Sequence, residues 1–234
     1  MKMLTKLTTA LIVYATISFA TLTAHAQNLL VDPGFELQTP VAAGGWFSFG
    51  GVYSTDFART GTWSMLNAGI FNVPGTFQQF PAAPGSQWRM TGYGLTPSPL
   101  LGGPAFGIVQ VTFFDVFGND LGTVETAGTG TRAKISNPVD GSSTPGQWIF
   151  LDTGVATAPL GTAFIQAFTL YVDFSGNFQG VYFDDVSLQV LGKNHGDYVS
   201  SIARNAALLQ QAGNITAAQA DAMVNAAAMS SGGK

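Results

Sequence analysis

Two adjacent carboxylates, Asp184 and Asp185, lie in the middle of residues 181–188, which read VYFDDVSL. Apolar and aromatic residues alternate along this stretch, which predicts a strand with one face in a core. Successive strand residues point to opposite faces, so one aspartate must share a face with core side chains. A carboxylate in that position is costly unless something pairs with it, and no Lys or Arg lies nearby in the sequence. A bound cation is one way to resolve the conflict.

The sequence offers few residues that could carry out catalysis. The chain has two histidines and no cysteine, and His195 lies in a glycine-containing junction at 193–196, which is typical of a solvent-exposed linker. Glycoside hydrolysis needs two carboxylates flanking one bond, whereas Asp184 and Asp185 are predicted to point apart. We therefore expect a protein that is not an enzyme.

Residues 1–26 have the pattern of a secretory signal peptide, with a basic start, an apolar run at 10–22 and the small-x-small sequence Ala24-His25-Ala26. Cleavage is expected before Gln27, which predicts an exported protein of the periplasm, cell surface or medium. The alternative, a membrane anchor, is disfavoured because the apolar run is short and interrupted by Thr and Ser.

The charge balance excludes one class of partner. Two of the nine basic residues and none of the thirteen acidic ones lie in 1–26, so the remainder carries a formal charge of −6. A nucleic-acid partner would need a basic patch, so the acidic charge balance argues against such a partner.

An exported domain without disulfides must be held by its core or by a metal ion.

Between residues 27 and 192 the sequence predicts nine or ten short strands, separated by Gly- and Pro-containing turns, which favours an all-β antiparallel sandwich. Residues 193–234 change character and predict a hairpin of two short helices, the second opened by a capping box from Thr216 to Gln219. We expect this helical tail to dock on the sandwich or on a partner.

Several short motifs occur in a specific order along residues 28–190. NLLVDPGFE comes first, then ARTGTWSM at 58–65, PGSQW at 84–88, FDVFGN at 114–119, APLGTA at 158–163 and finally VYFDDVSL. Together they resemble the carbohydrate-binding modules of families 4, 9 and 22, which are galactose-binding-like jelly rolls. The resemblance implies a jelly-roll fold and a glycan ligand. It also implies that Trp63, Trp88 and Trp148 lie in the core.

The resemblance also implies one structural calcium near the chain ends. Glu36 and Asp184 match the carboxylate ligands of that family, and Gly34 and Ser64 are weaker candidates for carbonyl ligands. Calcium takes several hard oxygen ligands, which this set supplies. The alternative is that Asp184 caps a turn, or meets Arg59 or Lys134, without a metal. Asp185, on the opposite face, is predicted to be exposed to solvent.

Sugar-binding members of that family use aromatic rings and amides on a sheet face or at a loop end. Sugar C–H faces stack on rings, and hydroxyl groups need fixed hydrogen-bonding partners. The outward faces predicted for the strands supply four candidates, and the glycine-rich loop at 41–51 supplies a fifth. These residues are Arg89, Tyr93, Gln110, Tyr171 and Trp46.

These features predict a secreted, non-catalytic protein that binds a glycan on a calcium-stabilised jelly roll. The alternative is a structural or adhesive extracellular protein in which the jelly roll is a building block and the helical tail mediates assembly.

Overall fold

The computed structural model describes residues 28–37, 45–69, 72–98, 105–122, 134–176, 179–192, 195–211 and 215–229. The predicted signal peptide at 1–26 lies outside these residues. The strands are β1 (Phe47–Phe49), β2 (Gly51–Ser54), β3 (Ser64–Ala68), β4 (Gly75–Pro81), β5 (Gln87–Leu95), β6 (Phe106–Phe114), β7 (Lys134–Ile135), β8 (Val139–Asp140), β9 (Ile149–Asp152), β10 (Ala156–Thr157), β11 (Phe164–Val172) and β12 (Gly180–Leu191). The helices are α1 (His195–Gln211) and α2 (Ala217–Met229).

The strands form two antiparallel six-stranded sheets. Sheet A has the order β1-β4-β11-β6-β7, with β8 also pairing β6. Sheet B has the order β10-β5-β12-β3-β2, with β9 also pairing β5. Along the chain, β3 pairs with β12, β4 with β11, β5 with β10 and β6 with β7, and these nested pairs alternate between the sheets. A ribbon of nested antiparallel pairs wrapped around a core is a jelly roll, so the predicted fold class is confirmed.

Side chains that alternate along the strands fill the space between the sheets. Trp88 and Met90 of β5 meet Phe113 of β6, Ile165 of β11 and Leu188 of β12, and all five are fully buried. This matches the alternation expected for a strand with one buried face. Trp63 and Trp148, predicted in the core with Trp88, are only partly buried.

The helical hairpin packs on the sandwich. Tyr198, Ile202 and Leu209 of α1 are buried in the same hydrophobic core as the sheets. The predicted capping box is present, since the Thr216 N–H donates to Gln219 Oε1 (2.8 Å) and the Gln219 N–H donates to Thr216 Oγ1 (3.2 Å). Within the described residues, neither helix is long and apolar enough to cross a membrane.

Candidate functional site

Asp184 binds a turn formed by residues 59–63. Its Oδ2 accepts hydrogen bonds from the backbone N–H groups of Arg59 (2.7 Å) and Thr60 (3.2 Å), and its Oδ1 accepts from the N–H of Asp185 (2.7 Å). The residue is 0% exposed. Burial raises the pKa of Asp184 from its ordinary value of 3.8 to about 6, although the three N–H donors act in the opposite direction. The Asp184 carboxylate therefore caps the 59–63 turn, and the predicted calcium stays a prediction.

Asp185 contacts the same turn. Its Oδ2 forms an ion pair with Arg59 Nη1, and its Oδ1 accepts a hydrogen bond from Thr60 Oγ1 (2.6 Å). The expectation that the two aspartates point to opposite faces is therefore wrong, and Asp185, which was expected to be exposed, is partly buried. The argument that Asp184 and Asp185 cannot flank one glycosidic bond was based on their pointing apart, so that argument no longer applies.

A β-bulge in β12 is the cause. The pairing with β5 passes from Asp184–Tyr93 to Ser187–Thr91, which inserts one extra residue into β12. Asp185 takes a positive φ of 47° at this point, a conformation that residues other than glycine rarely adopt. Beyond the bulge the inward and outward sides of the strand exchange. Val181 and Phe183 before it and Val186 and Leu188 after it are consequently all in the core.

Glu36 reaches the same turn from the other end of the chain. Its Oε1 accepts hydrogen bonds from the N–H groups of Thr62 and Trp63, each at 2.9 Å. Asp32 shapes the segment that carries it, because Asp32 Oδ1 accepts from the Glu36 N–H (2.6 Å). The 59–63 turn is therefore held by carboxylates from both chain ends.

The four predicted calcium ligands are gathered only in part. A Cβ placed on Gly34 would lie 3.8 Å from Glu36 Cγ and 3.9 Å from Asp184 Oδ1, so these three residues are neighbours. The Ser64 hydroxyl donates to the Phe57 carbonyl oxygen, and the prediction of its backbone carbonyl as a ligand stays a prediction. Among the described residues, no three His, Cys, Asp or Glu side chains are grouped to hold a metal ion. A cation here would need backbone carbonyl oxygens in addition to the carboxylates.

Trp46 is not a loop-end sugar ligand, because it is 0% exposed. Its ring packs on Phe35 (centroids 5.0 Å apart), and its Nε1 donates to the Asp32 carbonyl oxygen (3.2 Å). The N-terminal segment folds over the ring, which leaves no ring face for a ligand.

Tyr171 faces inward and is also excluded from a surface site. It is fully buried, and its hydroxyl donates to Asp173 Oδ2 (3.0 Å). Burial and the neighbouring Asp173 raise the pKa of Tyr171 above its ordinary value.

Arg89 and Tyr93 lie on the outer face of sheet B. Arg89 forms a two-contact ion pair with Asp152 of β9. The Arg59 guanidinium covers one face of the Tyr93 ring at 3.5 Å from its centroid, and Phe150 packs against the ring edge-on (5.3 Å). Tyr93 therefore has one ring face already occupied within the protein.

Gln110 lies on the outer face of sheet A, on the opposite side of the sandwich. It is 7% exposed, and its Nε2 donates to Thr112 Oγ1 (2.8 Å). The five predicted sugar-binding residues are thus divided between the core and two opposite faces, and they do not form one site.

The outer face of sheet A carries the aromatic residues that sequence reasoning missed. Phe47, Phe77 and Phe168 are directly paired across β1, β4 and β11, and Gln110 of β6 continues the row. Phe47 and Phe77 are stacked with centroids 5.2 Å apart, and Phe77 and Phe168 are 5.3 Å apart. Phe49 packs against Phe77 and Phe168 from the side.

Polar side chains form the next row of the same face. Gln79, Gln166 and Thr112 are paired across β4, β11 and β6, and Gln166 Nε2 donates to Gln79 Oε1 (3.0 Å). A further row holds Phe164 and Phe114, stacked at 5.2 Å. We call this surface the aromatic face; it comprises Phe47, Phe49, Phe77, Phe168, Gln79, Gln166, Phe164 and Phe114.

The sequence of β4 does not show which of its sides forms the aromatic face. The strand at 75–81 reads GTFQQFP, and the alternation places Phe77 and Gln79 on one side and Gln78 and Phe80 on the other. Either side contains one Phe and one Gln, so composition does not distinguish the inner side. Gln78 is the inward residue because its amide bonds both the N–H and the carbonyl oxygen of Val31 (3.0 and 2.6 Å).

Comparison with known proteins gives structural similarities alone, since no family model and no curated protein matches the chain. The structure is similar to the C-terminal family 22 carbohydrate-binding module of Clostridium thermocellum Xyn10B, with a TM-score of 0.48 and 16% identity over 68% of this chain and 90% of that one. It is similar to TmCBM61 in complex with β-1,4-galactotriose, with a TM-score of 0.42 and 13% identity over 70% and 99%.

A third similar structure is the enzymatically active domain of tailspike protein 4 of bacteriophage CBA120. The TM-score is 0.43 and the identity 12%, over 63% of this chain and 19% of that one. The chain therefore spans about a fifth of the tailspike domain. The jelly-roll assignment rests on the strand pairing described above.

Proposed function

We propose that the protein binds a neutral polysaccharide on the aromatic face. The observation that carries this proposal is the contact row of Phe47, Phe77 and Phe168 beside the Gln79–Gln166 amide pair. Phe47 is 59% exposed, and Gln79 is also exposed. Rings of this kind stack on the C–H faces of sugars, while the adjacent amides bond hydroxyl groups.

The direction of the rows favours an extended ligand. The row of rings from Phe47 through Phe77 to Phe168 crosses three strands of sheet A, and neighbouring strands are about 4.8 Å apart. The rings therefore span roughly 10 Å, which suits an extended ligand of more than one sugar unit. The net negative charge disfavours an acidic glycan.

The similar structures include a xylan-binding domain and a β-1,4-galactotriose complex. Xylan and β-1,4-linked galactan are accordingly among the first ligands to test.

We propose binding without catalysis, in an exported protein. The carboxylates of Asp184 and Asp185 both accept hydrogen bonds from the 59–63 turn, which is a structural use. The basic and apolar pattern at 1–26 supports export. The alternative of assembly through the helical tail has less support, because the apolar stripe of α1 is used against the sandwich.

The test of glycan binding is affinity electrophoresis through gels containing single polysaccharides, with xylan, galactan, β-glucan and mannan as the panel. Phe77→Ala and Phe168→Ala are each expected to weaken the retardation, since stacking contributes about 1 kcal/mol per ring, a roughly fivefold change in affinity. Phe150→Ala is the matched control, because Phe150 is an exposed ring (48%) on sheet B. Retardation that neither Phe77→Ala nor Phe168→Ala weakens would refute the proposal.

We also propose that Ca²⁺ stabilises the fold, held by the Glu36 and Asp184 carboxylates with the carbonyl oxygens of Gly34 and Ser64. The support is the buried charge of Asp184, which is adjacent to Glu36 and Gly34. Arg59, the nearest cation, pairs with Asp185 instead. Calcium would supply positive charge to this carboxylate group.

Thermal unfolding with and without chelator tests the calcium proposal. Calcium is expected to raise the melting temperature of the wild type, because it binds the folded state. Asp184→Asn is expected to remove this increase, and the control Asp152→Asn, on sheet B away from the turn, is expected to keep it. An identical melting curve in calcium and in chelator would refute the proposal.

A further inference from the structure

A cavity of about 360 Å³ lies between the helical hairpin and the edge of sheet A. This volume is at the lower end of the range for small-molecule sites, roughly 300–1,000 Å³. Its walls are mainly apolar. Leu29 and Val31 come from the N-terminal segment, Phe80 from β4, and Leu209 and Met223 from the helices.

The polar side chains of the inner wall are already committed within the protein. Asn28 donates to the Val186 carbonyl oxygen (2.9 Å) and accepts from the Leu188 N–H (2.9 Å). Gln78 bonds both backbone groups of Val31. The interior therefore suits an apolar occupant.

The cavity borders the aromatic face. Phe47 and Gln79, whose side chains are exposed, line the cavity and also belong to the aromatic face. A ligand on that face would thus contact the rings and the Gln79 amide, and the apolar cavity lies beside them. A molecule with a sugar part and an apolar part matches this arrangement, with the sugar on the aromatic face and the apolar part in the cavity.

We propose that the cavity holds an alkyl or acyl chain carried by the saccharide bound on the aromatic face. This inference rests on the proposed function. It gives the helical hairpin a role, because the hairpin forms one wall of the cavity. Met223 is well suited to such a wall, because its unbranched side chain adapts to the shape of an apolar partner. The ligand class is then an acylated or alkylated glycan.

Calorimetric titration with methyl and octyl β-D-xylosides and β-D-galactosides, kept below the micellar concentration, tests the inference. Each methylene buried tightens binding roughly fourfold, so the octyl compounds are expected to bind at least tenfold more tightly than the methyl compounds. Met223→Ala is expected to reduce this octyl advantage at least threefold. Met229→Ala is the matched control on the same helix, because Met229 is 82% exposed and lies outside the cavity.

The outcomes separate the two proposals. Equal binding of octyl and methyl compounds, or an octyl advantage that Met223→Ala leaves intact, would overturn the inference even if polysaccharides bind through Phe77. It is also possible to separate them in the other direction. If no polysaccharide of the panel retards the protein, but the octyl compounds still bind more tightly and this advantage depends on Met223, the result supports the apolar cavity and refutes the proposed function. A third variant, Ile215→Trp, which narrows the cavity from the connection between the helices, is expected to lower the octyl advantage as well.

Discussion

Replacing Gly61 by alanine is expected to destabilise the protein through Glu36. Gly61 has a φ of +64°, and a Cβ at this position would lie 2.2 Å from Glu36 Oε1. The carboxylate is the end of a flexible side chain, so it can move away without distorting the backbone. In moving, it gives up its hydrogen bonds to the N–H groups of Thr62 and Trp63.

The size of the effect follows from two contributions. A left-handed conformation costs alanine about 1–2 kcal/mol. The two lost bonds to a charged acceptor add about 1–2 kcal/mol in total, at the low end because Glu36 is exposed. The expected loss is about 2–4 kcal/mol. For a domain of this size each kcal/mol lowers the melting temperature by about 2–4 °C.

Gly85→Ala is the matched control, because Gly85 has a φ of +78° and a Cβ at this position would have nothing within 4 Å. Its loss of stability should therefore equal the cost of placing alanine in a left-handed conformation, with no contribution from lost hydrogen bonds. In a Glu36→Ala background, Gly61→Ala should cost no more than Gly85→Ala. Urea unfolding of the four variants measures each difference. Equal costs for Gly61→Ala and Gly85→Ala in the wild-type background would refute the view that Glu36 stabilises the 59–63 turn.

Three further variants test other parts of the structure. In chelator, the stability of the wild type relative to Asp184→Asn should fall by roughly 2 kcal/mol as the pH rises from about 4 to 6, because folded Asp184 binds its proton more tightly than the unfolded chain does; urea unfolding of both proteins across this range measures the difference. Tyr171→Phe should cost about 1–3 kcal/mol by thermal unfolding, since buried Asp173 loses a donor. Arg89→Ala should cost less than about 1 kcal/mol, because its ion pair with Asp152 is partly exposed, and a larger loss by urea unfolding would contradict this.

The sequence was sufficient to predict the jelly roll and the helical hairpin. Alternation along β5 correctly separated Trp88 and Met90 from Arg89 and Tyr93, because no irregularity interrupts that strand. The capping box at Thr216 was predictable because it depends on residues three apart.

The bulge in β12 could not be predicted from alternation, since the period-two rule assumes that no residue is inserted. Asp185 gives no local sign of its positive φ. The burial of Trp46 depends on the distant residues Asp32 and Phe35 folding over it, which a loop composition does not reveal.

The aromatic face was missed for a related reason. Phe77 and Phe168 are apolar residues in strands with apolar residues on both sides, so they were indistinguishable from core residues. The pairing of β4, β1 and β11 is what places them together on the outside.

Chemical-shift mapping by NMR tests the central claim most directly. Labelled protein is titrated with an oligosaccharide of whichever polysaccharide retards it. The largest shift changes are predicted at Phe47, Phe77, Gln79 and Phe168 on sheet A. Shift changes confined to the opposite face, around Phe150 on sheet B, would contradict glycan binding on the aromatic face.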